Sequence, residues 1–102
     1  MEKLKNKKLI DKLFIKGSNS ISIDGLRMVY YRSDISGVMV TASKSNFKRA
    51  VDRNLIKRHL RNSLIGKEVD GYVIAFLYTR KDIKDHSWFL DIVTKLVKRL
   101  ND

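Results

Sequence analysis

A mixed helix and strand domain in the order α-β-β-β-α-β-α is predicted by three features of this sequence. An Asp-Gly dipeptide separates two β-rich runs, two further apolar runs have the length of strands, and the remaining long stretches suit amphipathic helices. The 102 residues can bury one modest hydrophobic core but not two, so a single domain over 1–102 is expected.

In chain order, Leu4, Ile10, Leu13 and Phe14 recur in a Lys-rich background as on a short amphipathic helix, with Gly17 as its C-terminal cap. Asp24-Gly25 is a hairpin-turn signal joining Ile21 and Ile23 to the β-rich run LRMVYY. SGVMVTAS, Ser36 to Ser43, is nearly continuously apolar and is expected to be a central strand buried on both faces. From Asn46 to about Ile65 there is neither Gly nor Pro. Ser45 or Asn46 suits the N-cap and Gly66 the stop, which predicts a helix about 30 Å long. GYVIAFLY, Gly71 to Tyr78, reads as another buried strand. In the last segment Phe89, Ile92, Val93, Leu96, Val97 and Leu100 fall at helical spacing, with Trp88 and Phe89 assigned to the core. Asp82, Asp85 and His86 are read as turn or helix-start residues, and His59 as part of a solvated helix face.

The charge is strongly uneven. The chain carries 22 Lys and Arg against 11 Asp and Glu, a net +11. Residues 1–17 hold six Lys against Glu2 and Asp11, and residues 44–67 hold eight basic residues against Asp52 alone; the stretches 18–43 and 68–102 are each neutral. Such an excess raises self-repulsion in the compact state unless a polyanion or salt relieves it, so nucleic acid is the leading partner class. The absence of cysteine excludes disulfides, Cys-ligated zinc and thiol catalysis, and His59 and His86, isolated in sequence, do not close a metal site by themselves. No apolar run of about 20 residues is present to span a bilayer, and the N-terminal segment lacks the features of a secretory signal. A cytoplasmic chain with no membrane partner is expected.

The central helix carries the densest charge. At about 100° per residue, Arg53, Lys57 and Arg61 form one row, with Asn54 and Arg58 on the adjoining row. Ile56 and Leu60 lie on one flank, and Ala50, Val51 and Leu64 offer further apolar contacts for seating the helix on a sheet. Like-charge i, i+4 pairs such as Arg53/Lys57 and Lys57/Arg61 each cost about 0.2–0.5 kcal/mol, so helix stability alone does not select this pattern. Arg forks onto phosphates, Lys supplies point charge, and Asn both donates and accepts, a set suited to folded RNA.

SKSNFKRAVDRNLIKRHLRN, Ser43 to Asn62, resembles the signature region of the protein component of bacterial ribonuclease P. In that family an Arg-Asn-x-x-Lys-Arg-x-x-Arg core follows an Ala-Val pair; here Ala50, Val51, Arg53, Asn54, Lys57, Arg58 and Arg61 match. LIDKLFIKG upstream is similar to the family's first helix, and GVMVTASK to the strand that enters the signature. The sequence departs from the pattern at Leu55 and Ser45, where basic residues are common, and at Ile10, where an aromatic is common. The resemblance implies a small α+β sandwich with a left-handed βαβ crossover, as in a domain of a small-subunit ribosomal protein, although strand and helix chirality alone favour the right-handed form.

The resemblance also implies function. The family's protein is a noncatalytic subunit of an endoribonuclease. Its RNA partner uses bound Mg²⁺ to cut the 5′ leader from precursor tRNA, and none is held tightly by the protein alone. By this resemblance Lys44, Arg53, Asn54, Lys57, Arg58 and Arg61 contact the catalytic RNA, Lys48 and Arg49 add electrostatic attraction, and one protein binds one RNA. Ile10, Phe14 and Tyr30 are the implied leader contacts, in a cleft between the first helix and the sheet. Ordinary core packing is the competing role for Phe14 and Tyr30. The alternative function is a general RNA-binding or ribosomal protein of similar fold. A helix-turn-helix DNA reader is disfavoured, because SLIGKEVDGYVIAF leads from the helix into a strand.

Overall fold

The computed structural model describes residues 11–13, 19–67 and 69–100. A helical turn at 11–13 precedes strands β1 (Asn19–Ile23), β2 (Leu26–Arg32) and β3 (Gly37–Ala42), helix α1 (Ala50–Leu64), strand β4 (Tyr72–Tyr78) and helix α2 (His86–Leu100). This is the order read from the sequence; the expectations at Leu4, Ile10, Phe14 and Gly17 lie outside the described residues.

The strands form one mixed sheet in the order β1-β2-β4-β3, with β3 and β4 parallel and the other pairs antiparallel. Parallel neighbours need a long crossover, and α1 supplies it. β4 has strands on both sides and cover on both faces, so Val73, Ile74, Ala75 and Phe76 are fully buried and its sequence is continuously apolar. β3, expected to be central, is an edge strand. Its apolar run reflects cover on its two faces: Val38, Val40 and Ala42 point to the helices, and Met39 to the opposite side.

Alternation along the strands divides the core in two. On one face Leu26, Met28, Val38, Val40, Ile74, Phe76 and Tyr78 meet Ile56, Leu60 and Leu64 of α1 and Phe89, Val93 and Leu96 of α2. On the other, Leu13 packs with Val29, Tyr31, Val73 and Ala75, with Met39 and Leu77 at the margin. Ala50 and Val51, expected to seat α1, are instead exposed, because Ile56, Leu60, Ser63 and Leu64 define its buried stripe.

α1 begins four residues later than predicted. Ser43 to Phe47 form a turn in which the Phe47 N–H donates to the Ser43 carbonyl (3.0 Å) and the Asn46 N–H to Ser43 Oγ (3.4 Å). The Asn46 amide donates to the Thr79 carbonyl at the end of β4 (3.1 Å), and Phe47 is buried beside Tyr78. These contacts hold the segment out of helical geometry, so Arg49, with no side-chain cap, is the N-cap. The predicted stop is observed: Gly66 follows the helix end at φ +79°, where a side chain is disfavoured.

The hairpin turn has positive φ at both Asp24 (48°) and Gly25 (91°), as a two-residue turn of the favoured twist requires. Its tip is tied to two other elements. Arg80 Nη1 donates to Asp24 Oδ1 (3.0 Å), Trp88 Nε1 donates to Asp24 Oδ2 (2.9 Å), and the Thr79 N–H donates to the Gly25 carbonyl (2.9 Å). The Trp88 hydrogen bond, aided by Arg80, holds the Asp24 carboxyl below the usual carboxylate range. Asp85 caps α2, its Oδ1 accepting from the Trp88 N–H (3.0 Å) and the Ser87 hydroxyl (2.9 Å), which lowers its pKa. Asp82 pairs with Arg80 in the preceding turn (2.8 Å), so both acids have the local roles expected of them.

A Cβ at Gly25 would lie 2.4 Å from Arg80 Cγ, adding a collision to the backbone strain. Gly25→Ala is therefore expected to cost about 1–3 kcal/mol, measured as a lower urea midpoint at unchanged slope.

Candidate nucleic-acid interface

The flanks of α1 are chemically different. One carries His59, whose ring stacks on Phe89 of α2 with centroids 5.0 Å apart. His59 therefore sits in the α1–α2 seam and is half-buried, not on a solvated face as expected. The Arg53, Lys57, Arg61 row follows the buried stripe on the other flank, away from α2 and on the side of edge strand β3. Asn54, Arg58 and Arg61 are exposed and Lys57 is half-buried. Lys44, Lys48 and Arg49 are exposed along the turn and extended segment that lead into the helix.

Among the described residues, the ion pairs are Arg80–Asp24, Arg80–Asp82 and Lys95–Asp91. None draws on α1 or its entry, so no ion pair among the described residues offsets the charge of the basic residues of 44–61. The sequence grouping is thus also a spatial grouping, from Lys44 through the entry to Arg61.

Arg53 differs from the rest. Its Nη1 donates to the carbonyls of Phe47 (2.8 Å) and Lys48 (2.9 Å), satisfying acceptors in the extended entry. It positions the entry segment in addition to contributing charge. No motif could distinguish this from a phosphate-facing role, since it depends on the late helix start.

The second candidate surface is the sheet face opposite the two helices. Register places Arg27, Leu77 and Thr41 in one cross-strand row, Val29, Ala75 and Met39 in the next, and Tyr31, Val73 and Gly37 in a third. Leu13 covers the Tyr31 end, and Lys12 Nζ stands 4.8 Å from the Tyr31 ring centroid. Tyr30, the expected leader contact, is not on this face: it points to the helix side and meets Tyr72 edge-on at 6.0 Å. The adjacent Tyr31 is the tyrosine that packs with Leu13 on this face, and burial raises its phenol pKa. Ile10 and Phe14 lie outside the described residues. Arg27, which a segment charge count cancels against Asp24 or Asp34, is an exposed cation on this face, as is Lys12 at its Tyr31 end.

Near the same end, a cavity of about 560 Å³ is lined by Lys12, Arg32, Asp34, Asp70 and Tyr72 among others. Its cations and acids balance, so it lacks the single-sign field of α1. Among the described residues no group of three or more His, Asp or Glu is placed to hold a metal ion, and no helix is long and apolar enough to cross a membrane.

Fold and charge thus define a small α+β protein whose crossover helix presents a basic face, outside any ion pair among the described residues, beside a partly exposed sheet surface. The family model for ribonuclease P matches residues 1–101. The chain belongs to the ribonuclease P protein family. Solved structures agree in fold. The RNase P protein from Thermotoga maritima superposes with a TM-score of 0.80 at 19% identity, covering 97% of each chain. The RNase P protein of Staphylococcus aureus gives 0.76 at 17% identity, covering 100% of this chain and 96% of the other. Comparison with curated protein sequences finds no match. The resemblance implied a small α+β sandwich with a βαβ crossover, and the observed α+β domain, in which α1 connects parallel β3 and β4 of a four-stranded mixed sheet, is of that class.

The two kinds of arginine respond differently to truncation. Arg53→Ala is expected to lower folding stability by about 1 kcal/mol, while Arg58→Ala and Arg61→Ala stay within about 0.5 kcal/mol of the parent, all read from urea denaturation.

Proposed function

We propose that this chain is the RNA-binding subunit of a ribonuclease P that removes the 5′ leader of precursor tRNA. In this reading Lys44, Lys48, Arg49, Asn54, Lys57, Arg58 and Arg61 contact the catalytic RNA, and Arg53 orders the segment that carries Lys48 and Arg49. The RNA subunit, with its own Mg²⁺, performs the cleavage, and one protein serves one RNA. The observation that carries the reading is the basic face of α1, unneutralised by any acid among the described residues, in a chain of this family.

The leader is assigned to the open sheet face. The partly exposed Met39 and Leu77 suit the flat faces of bases, and Arg27 suits a phosphate. Tyr31 replaces Tyr30 as the aromatic of this surface, with Ile10 and Phe14 proposed as further leader contacts. Stacking of this kind contributes about 1–3 kcal/mol per base and tolerates any sequence.

The test is cleavage of precursor tRNAs of graded leader length by the cognate RNA, at low Mg²⁺, with and without the protein. Stimulation that grows with leader length and falls in an Arg58→Ala/Arg61→Ala variant is expected; that pair is preferable to one containing Arg53, whose loss also weakens the fold. Failure of the parent protein to stimulate the cognate RNA would overturn the proposal in favour of a general RNA-binding role. Affinity for the RNA should fall by about 0.7–0.9 log units per log unit of salt for each phosphate neutralised, and each of the two substitutions should reduce that slope by about one contact's share.

A further inference from the structure

His59 and His86 stand 27 residues apart on different helices, yet their Nδ1 atoms are 3.2 Å apart. The His59 ring lies nearly parallel to buried Phe89, with 14° between the planes, which fixes its orientation. His86, the first residue of α2, sits beside it with ring centroids 5.4 Å apart and remains open to solvent. Two imidazole nitrogens are thus presented at the surface of the α1–α2 seam, on the flank of α1 opposite the basic row. Nothing in the RNA-binding reading uses them.

We propose that His59 and His86 form a two-imidazole site for a borderline divalent cation of the Zn²⁺ class, bridging α1 and α2 through their Nδ1 atoms. Two Zn–N bonds of about 2.0–2.1 Å meeting at angles from octahedral to tetrahedral hold their nitrogens about 2.8–3.4 Å apart, and the observed 3.2 Å falls inside that range. The ion needs both rings neutral. Burial first, and then the neighbouring His86 and Arg58, lower the pKa of His59, while Asp85 acts in the opposite direction. Without the ion, one ring carries its proton on Nδ1 and donates to the other. With the ion, both carry it on Nε2, so capture is a change of tautomer without net proton release. The Asp85 charge favours the ion and that of Arg58 opposes it. Water fills the remaining positions, which makes the site weaker than a four-ligand zinc site. Nitrogen ligands discriminate against Mg²⁺, which prefers oxygen, so this site is independent of the Mg²⁺ assigned to the RNA.

The test is titration of the full chain with ZnCl₂ in phosphate-free buffer at about pH 7.5, read by histidine ¹⁵N NMR and by thermal unfolding. Both Nδ1 resonances should move together and saturate at one equivalent bound. Tm should rise by a few degrees when the ion is in large excess over its Kd. The rise should disappear in His59→Gln and in His86→Gln. His86 is exposed at a helix start, so its variant tests the site without disturbing the core. A response from only one ring, a Tm rise that survives in both variants, or no response at about 1 mM ZnCl₂ would each overturn the proposal.

Discussion

What α1 can offer a partner depends on how its first residues are tied to the end of β4. The Asn46 amide holds the Thr79 carbonyl, Phe47 enters the core beside Tyr78, and Arg53 reaches back to the carbonyls of Phe47 and Lys48. These contacts anchor the entry at both ends, so Lys48 and Arg49 are displayed on an extended segment next to the helix, not wound into it.

The sheet then separates two tasks. Its helix-covered face supplies most of the buried apolar area, through Ile56, Leu60, Leu64 and the stripe from Phe89 to Leu100. The other face is covered at its Leu13 end, while Met39 and Leu77 remain partly accessible and Arg27 is exposed. Edge strand β3 borders both the basic flank of α1 and this partly exposed face. The packing lets these two surfaces occur together without weakening the core.

Much of this was legible in the sequence because the signals were local. Asp24-Gly25 marked the hairpin, Gly66 ended α1, and the apolar period of the last segment defined α2 and its buried face. The errors arose where long-range contacts decided the outcome. Ser45 and Asn46 have the chemistry of helix caps, but the side chain of Asn46 is drawn to β4. Tyr30 and Tyr31 are equivalent in composition, and only pairing with β4 shows which faces the Leu13 side. An apolar run such as β3 records cover on two faces and says nothing about neighbours at two edges. Likewise, no spacing rule brings His59 to His86, since their approach is a property of how the two helices pack.

The hairpin tip has a final consequence. Asp24 and Gly25 are held by Thr79, Arg80 and Trp88, which come from the end of β4 and the start of α2. Exposed hairpin tips ordinarily tolerate inserted sequence, but here the tip is a junction of three segments distant along the chain. A tag or fluorescent module inserted between Asp24 and Gly25 would separate all three at once. The turn at Ser33 to Ser36, with fewer ties to the rest of the fold, is the more permissive place to attach a probe.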